Sequence, residues 1–222
     1  MANLSTTEHV RQGYAVGIGG AATESMGGVA VIVLAILALA GVLAPVLTDI
    51  AGIVFGAAFI IEGAALVARH TSIMEQAVET DVERLEMGGG MSVEVVGGLA
   101  AIALGILSLV GVVPAVLMPV LVIVGGASLI LSAGAVERLN DIRASAFGVS
   151  SMARTVAHTA VSSAAAGQVL AGLGALALGI LALVGVGDPA VLTMVGMLVL
   201  GAAITLSGTA LSGKLLNLFR RA

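Results

Sequence analysis

The sequence predicts an all-α polytopic membrane protein in which six transmembrane helices form three tandem helical-hairpin repeats in a pseudo-threefold arrangement. Three observations predict it. Of 222 residues, 59% are hydrophobic, 31 are Gly and 10% are charged, with a mean hydropathy of +1.17. Ordinary soluble domains carry roughly a quarter charged residues, so water cannot be met by what is left. Six apolar runs are each about as long as a bilayer crossing, and similar Gly and Pro positions return three times along the chain.

A hydrocarbon core about 30 Å thick needs about 20 helical residues. The runs are Met26–Leu43, Ala51–Ala68, Val95–Val113, Leu117–Ala135, Val169–Val186 and Ala190–Leu211. They divide the chain into an N-terminal segment (1–25), a first hairpin (26–68), a loop (69–94), a second hairpin (95–136), a second loop (137–168), a third hairpin (169–211) and a basic C-terminus (212–222). Glu62 is the one ionisable residue inside these runs. The links within each pair carry turn or start signals: Ala44-Pro45 with Thr48-Asp49, Val113-Pro114, and Gly187-Asp188-Pro189. Asp188 reads as an N-cap with Pro189 at the first helical position, where its missing N–H is harmless. Helices without a polar face exclude a soluble bundle, and continuous rather than alternating runs exclude a transmembrane β-barrel. Residues 1–24 lack the form of a signal peptide, so the amino terminus is expected to be retained.

Charge sets the expected orientation. Arg11, Arg69, Arg84, Arg138, Arg143, Arg154, Lys214, Arg220 and Arg221 all fall on one side of the six-span arrangement, and the three hairpin tips have none. Basic residues in short loops stay cytoplasmic, so both termini and the two long loops are expected in the cytoplasm of a cell with an inner membrane. In the first loop, Ser72-Ile-Met-Glu75 has the form of a capping box, followed by apolar residues at helical spacing up to a stop at Gly88-Gly89-Gly90. This predicts an acidic amphipathic helix. Its polar face, with Glu75, Glu79, Glu83 and Glu86, is a candidate docking surface for a soluble partner; the plainer reading is a solvated helix packed on the bundle.

The repeat is the most specific signal. Gly27-Gly-Val-Ala-Val-Ile-Val-Leu-Ala-Ile-Leu-Ala-Leu-Ala-Gly41 aligns with Gly97 to Gly111 and with Ala171 to Gly185, each followed by Pro45, Pro114 or Pro189. Gly56 to Gly63 aligns with Gly201 to Gly208 without a gap. Two spans per unit give all three the same orientation, so the axis runs along the membrane normal. Small residues recur every four positions: Gly27, Val31, Ala35; then Gly97, Ala101, Gly105; then Ala171, Ala175, Gly179, with Gly52 and Gly56 extending the stripe to the second helix. Such stripes bring backbones together where burial from water cannot drive association, and they are read as packing residues. One Tyr and four Phe leave the usual aromatic belt thin, which points to a homo-oligomer.

The alignment places Ser132 and Ser207 at the position of Glu62, so a polar side chain recurs at one depth and forms a candidate intramembrane polar site. The structural alternative has Glu62 reaching toward Arg69 and the serines bonding their own helix carbonyls. His9, His70 and His158 show no ligand spacing, so no metal site is expected. Without Cys, a phosphate-cradling Gly loop or a nucleophile beside a base, neither a cofactor nor enzymatic activity is expected. A net charge of −4 gives no footprint for nucleic acid.

The units Leu104-Gly-Ile-Leu-Ser-Leu109 and Leu178-Gly-Ile-Leu-Ala-Leu183 with their partner helices, spanning about Met26 to Leu211, resemble the HdeD-like family of bacterial inner-membrane proteins. The resemblance implies six spans built from short hairpins and a link to acid resistance and stress, and carries no catalytic residue. This chain is poorer in aromatics and richer in Gly than that pattern. The resulting expectation is a non-enzymatic integral membrane protein acting through helix packing and self-association, in a stress-related or membrane-organising role. The alternatives are a channel or transporter for a small ion or neutral solute through the repeat centre, and a membrane anchor recruiting a soluble partner.

Overall fold

The computed structural model describes residues 23, 25–74, 81–146 and 151–219, with side chains for 23, 25–64, 93–133 and 165–208. Six helices run through them: α1 (Ser25–Leu39), α2 (Ala44–Met74), α3 (Asp81–Leu109), α4 (Pro114–Ala146), α5 (Ser151–Val184) and α6 (Pro189–Phe219). No strand occurs among the described residues.

The helix ends follow from local chemistry. α1, α3 and α5 each stop at a glycine in the left-handed region: Gly41 at φ 83°, Gly111 at 86° and Gly185 at 79°. Around each, the same pair of closing bonds forms. Gly41 N–H donates to Ala38 O and Val42 N–H to Leu37 O; Gly111 donates to Ser108 O and Val112 to Leu107 O; Gly185 donates to Ala182 O and Val186 to Leu181 O. These bonds occupy carbonyls that the helix end would leave open, and only glycine adopts that φ without a Cβ clash. At the next helix start, Asp188 caps α6 through its Oδ1, which accepts from Ala190 N–H at 2.9 Å and Val191 N–H at 3.3 Å. The third turn is one residue longer, so Gly187 (φ 82°) takes the second left-handed position before the cap. In the shorter turns Leu43 (φ 42°) and Val113 (φ 37°) occupy that region themselves, while their carbonyls accept the first helical bonds from Leu47 and Leu117. A β-branched residue there is strained.

α2, α4 and α6 touch one another, while α3 lies against α2 and α4, and α5 against α4 and α6. α1 completes the arrangement: a Cβ on Gly27 would sit 2.6 Å from Ala58 Cβ on α2, and one on Gly28 would sit 2.7 Å from Gly201 O on α6. Of the apolar stretches, 44%, 50% and 44% of α2, α4 and α6 are buried, against 28% of α5, which puts the first set inside and α5 outside. The core holds Phe55, Phe59, Leu121, Leu129, Met197, Leu200 and Ile204, all fully buried. Phe55 and Phe59 stack with centroids 5.5 Å apart. Gly125 makes their room: a Cβ there would lie 2.9 Å from Leu200 Cδ1 and 3.0 Å from Phe55 Cζ.

Outward-facing positions are large and apolar, including Val33 and Ile36 on α1, Leu99 and Ile106 on α3, and Leu173 and Ile180 on α5. Four stretches are long and apolar enough to cross a membrane: Ala44–Ala64, Pro114–Ala133, Ala165–Val184 and Pro189–Gly208. The apolar stretches of α1 and α3 among the described residues, Ser25–Leu39 and Val93–Leu109, are shorter. The expected first, third and fifth runs overreach at their ends, because the caps at Gly41, Gly111 and Gly185 stop the helices before Leu43, Val113 and Val186.

Three further expectations are corrected. Ser72 lies inside α2 and starts no new helix. The triplet Gly88-Gly89-Gly90 does not stop one either: α3 begins at Asp81 and passes through it. Glycine costs about 1 kcal/mol per position relative to Ala in a helix interior, and the long apolar continuation to Leu109 outweighs that local preference. Thr48 and Asp49 are likewise not in a link, since α2 starts at Ala44 with Pro45 in its first turn, where proline is tolerated.

Three outcomes follow. Gly172→Ala would put a Cβ 2.6 Å from the Gly126 carbonyl oxygen and should lower unfolding free energy by about 1–3 kcal/mol. Gly174→Ala, with nothing within 4 Å, should leave it unchanged or raise it by about 0.5–1 kcal/mol; denaturation in mixed micelles compares the two. In the same assay Val113→Gly should stabilise by roughly 1 kcal/mol, since it relieves the left-handed backbone.

Candidate functional site: the buried polar residues

In an apolar bundle the informative residues are the polar ones that are buried anyway. Glu62 on α2 is 2% exposed, and its Oε1 accepts a 2.9 Å hydrogen bond from Ser207 Oγ on α6. Two of the three aligned positions are therefore brought together across 145 residues of chain. Ser132 is fully buried, but its hydroxyl donates to Leu129 O on its own helix at 3.2 Å. The Arg69 side chain lies outside the described residues, as do Glu75, Glu79 and the side chains of Glu83 and Glu86.

Sequence reasoning missed a second carboxylate at this end. Glu94, one residue before the expected third run, is fully buried on α3. Its Oε2 lies 3.4 Å, and its Cβ 3.1 Å, from where a Cβ on Gly63 would stand; glycine next to Glu62 thus makes the space that Glu94 occupies. The hairpin alignment held a signal for it, because Glu24, Glu94 and Gln168 fall at one position. Gln168 on α5 is also buried, at 5% exposure, and its Nε2 has no acceptor among the described residues. Glu24 lies outside them.

At the hairpin-tip end, Ser108 Oγ on α3 donates to Asp49 Oδ1 on α2 at 2.6 Å, with both residues buried. Asp49 was hidden in the sequence by its nearness to a proline-bearing turn. Other hydroxyls are satisfied within their own helices: Thr48 by Ala44 O, Thr193 by Pro189 O and Thr205 by Gly201 O, at 2.7–2.8 Å. Such back-bonding hides a hydroxyl from lipid. Asp49 and Glu62 are thirteen residues apart on α2, about 20 Å along the axis, and the buried Phe55 and Phe59 stand between them. The layer of Phe55, Gly125 and Leu200 is thus apolar where the centre would have to carry a solute.

The small-residue stripe lies at the helix seams. Ala35, Ala101 and Ala175 are buried in the core, and Ala171 packs against it. A Cβ on Gly105 would lie 3.1 Å from Asp49 O, one on Gly179 2.9 Å from Pro119 O, and one on Gly52 2.6 Å from Leu121 Cδ1. Gly97 faces Ser128, and Gly56 faces Gly98 O at 2.5 Å. The closest backbone approaches involve neighbours that the four-residue stripe passed over: Gly98 on Gly56, Gly172 on Gly126, and Gly28 on Gly201, at 2.6, 2.6 and 2.7 Å to the facing carbonyl oxygen.

No group of three or more His, Asp or Glu stands together as metal ligands among the described residues. Helical architecture, apolar outer faces and membrane-length stretches define a helical membrane protein in contact with the lipid bilayer. No family model matches the chain, and no curated protein or solved structure matches it.

Ser207→Ala should destabilise the bundle by about 1.5–3 kcal/mol, because it removes a hydrogen bond to a buried carboxylate. Ser132→Ala should cost less than about 1 kcal/mol, since that hydroxyl serves only its own helix. Paired denaturation curves with Glu62→Gln, which keeps an acceptor, apportion the coupling.

Proposed function

We propose that the chain is a non-enzymatic, multi-pass protein of a bacterial inner membrane, built as six spans in three hairpin repeats about a pseudo-threefold axis, and that it acts through helix packing and self-association. The observation that carries this reading is the recurrence of one seam. Gly56–Gly98, Gly126–Gly172 and Gly201–Gly28 each bring a second helix onto the first helix of another hairpin, with facing atoms 2.5–3.0 Å from the missing Cβ positions. α3, although its described apolar stretch is short, runs from Asp81 to Leu109, about 43 Å at the α-helical rise, which is ample for a crossing. The filled layer of Phe55, Gly125 and Leu200 supports a solid body over a conduit. Apolar outer faces on α1, α3 and α5 supply area for lipid or for a second copy. The HdeD-like resemblance extends the reading to a stress role.

With no native cysteine, single introduced cysteines report topology directly. A cysteine at Val112 or Val186, both exposed on hairpin tips, should react with an impermeant maleimide in intact spheroplasts, and one at Ser150 only after lysis. Native mass spectrometry from nanodiscs reads self-association: a ladder of multimers is expected, and a strictly monomeric particle would overturn that part of the reading.

A further inference from the structure

The three seams are alike in their glycines but not in their chemistry. In the hairpin alignment Asp49 corresponds to Pro119 and Met194, and Ser108 to Ala38 and Ala182. Both departures fall in the α2–α3 seam, and they meet each other at 2.6 Å. One polar substitution in an apolar seam is a cost; two that meet form a site. Asp49 is 5% exposed and Ser108 is 2% exposed, and the pair lies about 8 Å below the start of α2 at the rise per residue of an α-helix.

We propose that Asp49, seated on Ser108, is a proton-binding site on the hairpin-tip side of the membrane. This rests on the membrane reading above. The surroundings argue for a proton over a fixed ion pair. α3 offers Ser108 and the Gly105 notch, α2 itself offers Thr48, whose hydroxyl is committed to Ala44 O, and the other charged group described at this end is the exposed cap Asp188. No basic residue occurs in the stretches 40–50, 105–118 or 184–194 that make up the tip end. A carboxylate with one neutral donor and no cation in an apolar seam is costly, and proton uptake is the change that removes its charge with the least room. The proton adds to the Asp49 carboxylate, converting it to the neutral acid while Ser108 continues to donate to Oδ1; release reverses this, and no other bond changes. Because Gly105 packs on the Asp49 carbonyl, the event is placed directly on the seam between the first and second hairpins.

The test uses the full-length protein in nanodiscs and dicyclohexylcarbodiimide, a lipid-soluble reagent for the acid form of membrane-buried carboxyls, with mass-spectrometric mapping of the adduct. The expected result is an adduct on Asp49 that is absent in Asp49→Asn. Its yield should fall by about tenfold per pH unit once the carboxylate dominates, and Ser108→Ala should move the pH of that fall. An unmodified Asp49 in the wild-type protein, a yield indifferent to pH, or protection by sodium at constant pH, which would mark a metal-cation site, overturns the proposal. Retention of the chain on membranes through an alkaline carbonate wash is scored separately. A retained protein with unlabelled Asp49 defeats this inference alone, and a chain washed free of membranes defeats both it and the reading beneath it.

Discussion

Everything in this molecule depends on how closely two helix backbones can approach where water provides no push. In hydrocarbon, burying a leucine against a helix gains little over burying it against lipid, so association relies on close van der Waals contact and on the few polar bonds available. Glycine at the point of crossing allows that approach, and the flanking isoleucines fit the space it leaves. Ile60 Cγ1 stands 2.7 Å from the missing Cβ of Gly98, and Ile130 Cγ1 stands 2.7 Å from that of Gly172. One side chain's absence on one helix is thus filled by another's presence on the next, and the same fit recurs further along at Ile53 with Gly105 and Ile123 with Gly179. The interlock sets both distance and register, which explains why so glycine-rich a chain can hold long helices: the conformational freedom that glycine brings is offset at the seams where it is used.

The polar residues follow the opposite logic. Burial away from water favours an internal partner for each, and the structure supplies such partners in two ways. Threonines close on their own helices, at no cost to a neighbour. The carboxylates instead reach across: Asp49 to α3 and Glu62 to α6. α2 therefore joins hairpins at both of its ends, while Phe55 and Phe59 keep the ends apart through the middle of the core. A helix that carries both of these carboxylates is held by its polar contacts as well as by its glycines; of the aligned positions, Pro119 and Met194 rely on packing, Ser132 bonds its own helix and Ser207 is the partner of Glu62.

Much of this architecture was legible in the sequence because the physics behind it is local or periodic. The apolar runs gave the helices, a Gly three or four residues before a Pro gave the turns, and Asp188 before Pro189 gave a cap that the structure contains atom for atom. Failures came where a local preference competed with a distant one. Gly88-Gly89-Gly90 reads as a stop by propensity, yet α3 passes through it; Ser72 reads as a cap, yet α2 continues to Met74. The stripe of small residues was found at four-residue spacing, but the tightest crossings use Gly28, Gly98 and Gly172, one position along, because which face of a helix meets a neighbour is settled by the neighbour. Asp49 and Glu94 were missed for one shared reason: both lie just outside the hydropathy windows, where a charge raises no alarm until the helix is known to extend past it.

The recurrence of the glycine crossings makes those missed residues more informative. When three units share a packing scheme, a contact that recurs three times belongs to the scaffold, and one that occurs once needs a separate cause. The glycine crossings and the capping bonds recur. The Asp49–Ser108 bond occurs at one seam, where the other two place Pro119 with Ala182 and Met194 with Ala38. Scaffold stability does not require it, since two seams close without it. A feature that lowers the apolar fit of one seam, and that takes two matched substitutions on different helices to build, is best explained by what its carboxyl group can do. The same comparison ranks Glu62 lower as a chemical site: its aligned partners are serines, so polarity at that depth is common to all three units and only the ionisable group is its own.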